Sequence, residues 1–190
     1  MNDTKENSEE QTDNKKSAMI KNGAIIIGVI AIFIMLSSVL EAGPLKEGTV
    51  APDFKLPVAN VKISNSNEVI RLSDYKGKVV VLDFWSTTCP PCIAEINVLK
   101  RLKEKMGSKD VEFIGLAVGG ESFARIEKFA KNRMMNYPTG PDLRGVAATS
   151  YKVSSLPTLF IIDKNGVIRD SDVGYQPETV LVEKINRVLK

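Results

Sequence analysis

The fold of this chain is decided by the stretch Phe84-Trp85-Ser86-Thr87-Thr88-Cys89-Pro90-Pro91-Cys92. It overlaps the near-continuous apolar run Val79–Trp85, which is typical of a strand buried on both faces of a sheet. A helical pattern follows from about Pro91 to Met106. The two cysteines therefore stand at the junction between a buried strand and a helix.

At a helix start, unpaired backbone N–H groups and the positive end of the helix dipole stabilise a thiolate. This position predicts a lowered pKa for the Cys89 thiol, which makes Cys89 the attacking sulfur and leaves Cys92 to resolve a mixed disulfide. Pro90 and Pro91 suit a first helical turn, where no N–H partner is lost. An inert structural disulfide is the alternative, but so small a loop stabilises a fold little. The context favours a redox-active pair.

The elements outside this stretch predict an α/β fold. Further strands are expected near 69–72, 111–118, 158–163 and 167–170, and Lys164-Asn165-Gly166 predicts a hairpin between the last two. Further helices are expected near 123–130 and 143–151 and from Pro177 onward. Strands that alternate with helices and close in a hairpin indicate a mixed central sheet flanked by helices.

Composition excludes several kinds of chemistry. The net charge is +3 and the basic residues form no cluster, so we expect no nucleic-acid partner. The chain has no histidine, which excludes Ser–His and Cys–His catalysis. Two cysteines cannot supply the four ligands of a structural zinc site. We therefore expect neither a metal nor a cofactor.

The N-terminal part predicts a membrane anchor. Residues 1–22 are polar and charged and read as a disordered tail, and residues 23–40 read as a transmembrane helix. The uncharged run 24–40 would be about 26 Å long as a helix. A cleaved signal peptide is the alternative, because residues 37–43 are rich in small side chains.

The charges flanking this helix predict its orientation. Lys15, Lys16 and Lys21 precede it, and Lys46 is the nearest basic residue after it. The positive-inside rule then places the tail in the cytoplasm. Residues 41–50 would be a linker, and the domain 51–190 would lie outside the cytoplasm, in an oxidising compartment.

From about Gly48 onward, several motifs occur in a joint order. They are Ala51-Pro-Asp-Phe-Lys-Leu56, Leu72-Ser-Asp-Tyr-Lys-Gly-Lys78, the Trp85–Cys92 stretch, Leu156-Pro-Thr158 and Ile162-Asp-Lys-Asn-Gly-Val-Ile168. In this order they resemble the membrane-anchored TlpA/ResA-like branch of the thioredoxin-like superfamily. The resemblance implies a thioredoxin-like fold and an exported dithiol that reduces disulfides of partner proteins, often apocytochrome c before haem attachment. It also implies a transmembrane thiol carrier as electron donor.

Asp83 matches the buried acid with which thioredoxins assist proton transfer at the second cysteine. An unpaired carboxylate inside an apolar strand is costly, and desolvation should raise its pKa toward that of a proton acceptor working near neutrality. The alternative is a strand-end aspartate paired with a lysine.

Glu95 is on the apolar side of the helix that follows Cys89. On a wheel of about 100° per residue, it falls in the arc of Leu99, Leu102 and Met106. This predicts a buried carboxyl one turn below Cys92. The resemblance implies that a glutamate at this spacing tunes the cysteines and partner recognition.

Partner binding is predicted at Trp85, Thr88, Pro90, Leu156 and Pro157. Pro157 matches the superfamily's cis proline, which would present the backbone of Leu156 to a partner peptide. The alternative is a trans proline that starts a strand.

Two residues depart from the pattern of these relatives, and the first of them leaves substrate choice open. Thr88 replaces a tryptophan that many relatives carry before the first cysteine, and Ile93 replaces a lysine that is common in thioredoxins after the second.

Two other functions compete with this interpretation. A peroxiredoxin-like peroxidase is suggested by Ala51-Pro-Asp-Phe54 and by Ser86, three residues before Cys89, but Leu82 stands where that loop carries proline. A non-enzymatic, membrane-tethered binding module is the second, and the retention of both cysteines argues against it. Within the favoured class, the direction of electron flow depends on the reduction potential.

Overall fold

The computed structural model describes residues 27–32, 43–60, 69–106 and 110–190. The chain divides into two units, Met1–Ala42 and Gly43–Lys190. In the first unit, residues 27–32 are helical. The predicted tail 1–22 and most of the predicted anchor 23–40 lie outside the described residues. Within the described ranges, no helix combines the length and apolar character needed to cross a membrane.

The second unit is built on two β-sheets. Strands β1 (Lys55–Pro57) and β2 (Val69–Arg71) form an antiparallel pair. The other five strands are β3 (Val79–Trp85), β4 (Val111–Ala117), β5 (Thr139–Pro141), β6 (Thr158–Ile162) and β7 (Ile168–Val173). They form a sheet in the order β5-β4-β3-β6-β7. β3 pairs parallel with β4 and antiparallel with β6, which confirms the predicted mixed sheet.

Among the described residues of the second unit, four helices flank or border this sheet. They are α1 (Pro90–Met106), α2 (Phe123–Asn132), α3 (Val146–Ser150) and α4 (Glu178–Leu189). The last helix starts one residue later than expected, because Pro177 keeps an extended backbone and acts as its N-cap residue. The predicted third helix, near 143–151, is a 3₁₀ turn (Leu143–Gly145) followed by α3.

The sheet separates two hydrophobic cores. Alternation along β3 sends Val79, Val81 and Trp85 into one core together with α1, α2 and α4. It sends Val80, Leu82 and Phe84 into the other core, whose further members include Phe54, Leu56 and Tyr151. Asp83 shares the α1 side of the strand. The alternation therefore places this acid under the helix that carries the cysteines.

The predicted linker 41–50 ends earlier than expected. The Gly48 N–H donates to the Ile168 carbonyl at 2.8 Å, and the Ile168 N–H donates to the Thr49 carbonyl at 2.9 Å. Val50 forms an isolated antiparallel bridge with Val167. Residues 48–50 thus belong to the folded unit.

Candidate active site

The cysteine pair lies where β3 passes into α1. Cys89 precedes the first helical residue, Pro90, and its carbonyl accepts the N–H of Ile93 at 3.1 Å. The Cys89 sulfur accepts the backbone N–H of Cys92 at 3.3 Å. Cys89 thus occupies the capping position, where N–H groups of the first turn stabilise a negative sulfur. Cys89 and Cys92 are joined by a disulfide bond.

The two sulfurs differ in access. Cys92 has no exposed surface, whereas Cys89 is partly exposed and has exposed Thr88 and Pro90 beside it. A partner protein can therefore reach the Cys89 sulfur from solvent and cannot reach that of Cys92. This asymmetry assigns attack to Cys89 and resolution to Cys92.

Asp83 and Glu95 are both fully buried, Asp83 on the α1 side of the sheet and Glu95 one turn beyond Cys92. One Glu95 oxygen accepts the backbone N–H of Gln176 at 2.9 Å. The other Glu95 oxygen and both Asp83 oxygens have no hydrogen-bond partner among the described residues. The burial predicted for both acids is confirmed, and no described lysine bonds to Asp83. Their roles in proton transfer stay predictions.

Burial shifts both acids toward their protonated forms. It raises the pKa of Asp83 well above its ordinary value, and the charge of Glu95 raises it further. Burial likewise raises the pKa of Glu95 from 4.5 to about 7; the Gln176 N–H lowers it, and the negative charge of Asp172 raises it. A carboxyl with a pKa near 7 can both take and release a proton at neutral pH.

Trp85 corrects one of the predicted binding residues. Its side chain has no exposed surface, so it makes no contact with solvent from which a partner would approach. The indole N–H donates to Thr139 Oγ1 at 3.1 Å, and the ring centroid lies 5.2 Å from that of Phe129. Its place on the inward face of β3 makes it part of the core beneath the site.

The Leu156–Pro157 peptide bond is cis, as the resemblance implied. Thr158, the next residue, pairs with Phe84 in the antiparallel register of β6 and β3. Pro157 therefore lies at the end of the sheet where β3 leads into the cysteines. Pro157 itself is buried, and Leu156 is partly buried against both cores.

Glu121 belongs to the site although the sequence analysis did not identify it. One oxygen of this nearly buried carboxylate accepts the Ser86 hydroxyl and the Thr87 N–H, both at 2.8 Å. The Arg125 Nε lies 3.4 Å from the other oxygen and donates to Thr87 Oγ1 at 3.0 Å. Glu121 thus holds the loop that leads to Cys89. The Ser86 hydroxyl, which a peroxidase would use, donates its hydrogen bond to Glu121.

Substitution of Glu121 should loosen this loop. In Glu121→Ala, the Thr87 N–H and the Ser86 hydroxyl lose their acceptor, so we expect the free energy of unfolding to fall by about 1–3 kcal/mol. Urea denaturation of the oxidised protein measures the change. Glu127→Ala, at an exposed position of α2, is the control and should stay near wild type. Equal losses in both variants would contradict the role of Glu121.

In the described ranges, no group of three or more His, Cys, Asp or Glu side chains could hold a metal ion. The geometry supports thiol–disulfide exchange. The sulfur of Cys89 is partly exposed and caps the helix, and it is bonded to the buried sulfur of Cys92, which lies one helical turn before the buried Glu95.

Comparison with known proteins agrees with this geometry. The sequence pattern of the AhpC/TSA family matches residues 48–171. Thiol-disulfide oxidoreductase ResA of Bacillus subtilis (strain 168) is 31% identical over 176 residues, which cover 92% of this chain and 94% of that protein. The protein of the same name from Geobacillus kaustophilus (strain HTA426) is 32% identical over 179 residues, or 93% and 97% of the two chains.

Among solved structures, a DsbE-like thiol:disulfide interchange protein from Chlorobium tepidum superposes with a TM-score of 0.69 at 29% identity. The match covers 77% of this chain and 99% of that one. The chain therefore belongs to the AhpC/TSA family of thioredoxin-like proteins, and within it to the ResA-like thiol–disulfide oxidoreductases.

Proposed function

We propose that this thiol–disulfide oxidoreductase works as a reductase on the outer side of the cytoplasmic membrane. Its Cys89–Cys92 dithiol reduces disulfides of partner proteins, among them apocytochrome c before haem attachment. A transmembrane thiol carrier returns electrons to it. The helix 23–40 holds it in the membrane, with the tail 1–22 in the cytoplasm.

The observation that carries the reductase direction is the pair of buried acids on the Cys92 side of the sheet. A negative charge on Asp83 or Glu95 disfavours a thiolate nearby and so destabilises the reduced protein. Ile93 adds no positive charge where a lysine would stabilise one. Strong oxidants such as DsbA owe their oxidising power to a stabilised reduced form. The two buried acids act in the opposite sense and offset the stabilisation that the start of α1 gives to the Cys89 thiolate.

The reduction potential tests the direction. We expect the Cys89–Cys92 couple to lie nearer to the roughly −270 mV of thioredoxin than to the roughly −120 mV of a strong oxidant. Equilibration of the protein with reduced and oxidised dithiothreitol, followed by the fluorescence of Trp85, the single tryptophan, gives this value. A potential close to that of the strong oxidant would reverse the assignment.

Thiol labelling in intact cells tests the location. A membrane-impermeant maleimide should label Cys89 of the reduced, full-length protein. In a Cys89→Ser/Cys92→Ser background, a cysteine introduced by Ser8→Cys should be labelled only after lysis, because we place the tail in the cytoplasm. The reverse labelling pattern would overturn the orientation and leave the dithiol chemistry intact.

The same purified protein separates the two rival functions. Reduced protein that turned over peroxide at a catalytic rate without a thiol carrier would favour the peroxidase. Protein that neither reduced a disulfide-bonded test protein such as insulin nor reacted with peroxide would favour the binding module. We expect reduction of insulin and no sustained peroxide turnover.

A further inference from the structure

The Tyr137 hydroxyl is a buried polar group that the chemistry described above does not use. The side chain has no exposed surface, and its oxygen has no hydrogen-bond partner among the described residues. A buried hydroxyl without a partner is costly. The groups around the Tyr137 hydroxyl should therefore explain why it is buried.

Strand register places the ring of Tyr137 close to the strand position of Asp83. In the parallel pairing of β3 and β4, Asp83 is opposite Gly115. Gly115 has no side chain, and Tyr137 Cε2 lies 3.3 Å from the position that a Cβ would take there. Cε2 is bonded to the carbon that carries the hydroxyl, and neighbouring strands are about 4.8 Å apart. The ring of Tyr137 therefore fills the space above Gly115, with Asp83 on the neighbouring strand and on the same face of the sheet.

The neighbouring polar side chains already have acceptors. The Trp85 indole N–H donates to Thr139 Oγ1, and the Thr139 hydroxyl donates to the Gly115 carbonyl at 3.0 Å. Tyr137 is thus a neutral donor without an acceptor, in a region where Asp83 has two carboxyl oxygens and Glu95 has one without a donor among the described residues. Burial and the charges of Asp83 and Glu95 raise the pKa of Tyr137 well above 10, so its proton stays on the hydroxyl.

The titratable and charged groups around Tyr137, Asp83 and Glu95 come from four elements. β3 contributes Asp83, α1 contributes Cys92 and Glu95, and β7 contributes Asp172. Lys184 of α4 lies 2.6 Å from Asp172 and 2.8 Å from Asp170, so its charge is taken up by those carboxylates. Neither buried carboxyl is paired with a cation among the described residues, and because the charge of Glu95 opposes ionisation of Asp83, we expect the two together to carry one negative charge when Glu95 is ionised.

We propose that Tyr137 is a positioning residue whose hydroxyl, without a hydrogen-bond partner among the described residues of the oxidised protein, donates to Asp83 or Glu95 once this pair carries a negative charge, and so sets how readily the pair takes the proton of Cys92. The inference deepens the proposed function and rests on its dithiol chemistry, independently of direction and location.

The step that it controls is resolution of the mixed disulfide. The Cys92 thiol gives its proton to the singly ionised pair, and the Cys92 sulfur forms a bond to the Cys89 sulfur. The bond between Cys89 and the partner sulfur breaks, and the partner leaves as a thiolate. Two electrons have then passed from the dithiol to the partner disulfide.

Tyr137→Phe tests this role because it removes only the oxygen. Reduced protein is mixed with oxidised glutathione at pH values on both sides of neutrality. Acid-quenched samples are resolved by mass spectrometry into the Cys89–glutathione adduct and the closed disulfide. Without the donor, the pair holds its proton to higher pH. The pH midpoint for decay of the adduct should therefore move upward by about one unit, and decay at neutral pH should slow severalfold.

The matched control is Tyr151→Phe. Tyr151 is equally buried but lies in the other core, where its hydroxyl donates to the Pro52 carbonyl at 2.8 Å. It should leave the midpoint unchanged while lowering stability. An unchanged midpoint in Tyr137→Phe, or equal shifts in both variants, would overturn the inference. A wild-type protein that formed no adduct would instead overturn the dithiol chemistry itself.

A second measurement tests the role of Tyr137 without the Tyr137→Phe substitution, in case that variant does not fold. Uniform replacement of the four tyrosines by 3-fluorotyrosine keeps every ring and makes each hydroxyl a stronger donor. The midpoint should then move downward. In Asp83→Asn/Glu95→Gln protein, in which the pair no longer titrates, the fluorinated and unfluorinated forms should show the same pH dependence of adduct decay. A downward shift that persisted in that double variant would contradict the role of the pair.

Discussion

Cys92→Ser protein is expected to stop after its first chemical step and to remain covalently attached to its substrate. Cys89 can still attack a disulfide, because its sulfur is partly exposed and capped by the first turn of α1. No second sulfur is left to release the adduct. Turnover should fall by roughly a thousandfold or more, as when a member of a catalytic unit is removed.

Non-reducing electrophoresis of the full-length variant with insulin measures both effects, since the adduct appears as a band that a reductant removes. Cys89→Ser is the matched control and should show neither turnover nor adduct, because the Cys92 sulfur is fully buried. An adduct on Cys92 in that control would reverse the roles of the two cysteines.

Glu95→Gln is expected to stabilise the oxidised protein above neutral pH and to change little in acid. The pKa of Glu95 is raised from 4.5 to about 7 in the folded state. Between these values the folded protein binds more protons than the unfolded chain, so its stability falls as pH rises through this range. The shift corresponds to a loss of roughly 3 kcal/mol at most, and glutamine, which carries no charge, removes it.

Urea unfolding of the oxidised protein at about pH 4 and about pH 8 checks this sign and size. Glu104→Gln, the same substitution at an exposed position of α1, should be neutral at both pH values. Equal stability of wild type and Glu95→Gln at the higher pH would show that Glu95 ionises there without cost. The variant should also resolve mixed disulfides more slowly, because it cannot take a proton.

Local patterns were enough to predict β3, α1 and the burial of Glu95. All seven positions of β3 are buried, so the strand is a run of mostly apolar residues that can be recognised in the sequence. On α1 the helical period placed Glu95 among leucines that are indeed buried. The same alternation would have placed Trp85 inward with Val81, and the prediction of Trp85 as a binding residue did not take it into account.

The short strand β5 gave no such signal. It consists of Thr139, Gly140 and Pro141, and glycine and proline are both depleted in strands. It forms at the edge of the sheet, where a proline is tolerated. Its neighbours also hold it, because the Ala59 N–H donates to the Thr139 carbonyl at 2.7 Å and Asn60 Oδ1 accepts the Thr139 N–H at 3.0 Å.

The contributions of Glu121 and Tyr137 arise from contacts distant in sequence. Glu121 meets Ser86 because β3 and β4 run parallel, so that the loops after both strands emerge at the same end of the sheet. Tyr137 comes near the strand position of Asp83 because its ring occupies the space that Gly115 leaves open. Neither relation has a period or a motif that one sequence could display.

The unequal access to the two sulfurs limits the order of events in a catalytic cycle. A donor that reduces the disulfide must attack the Cys89 sulfur, and a substrate must later be attacked by that same atom. The donor and the substrate therefore cannot be bound productively at the same time. Steady-state kinetics with both present should show a double-displacement pattern, in which a large excess of either one inhibits the reaction of the other.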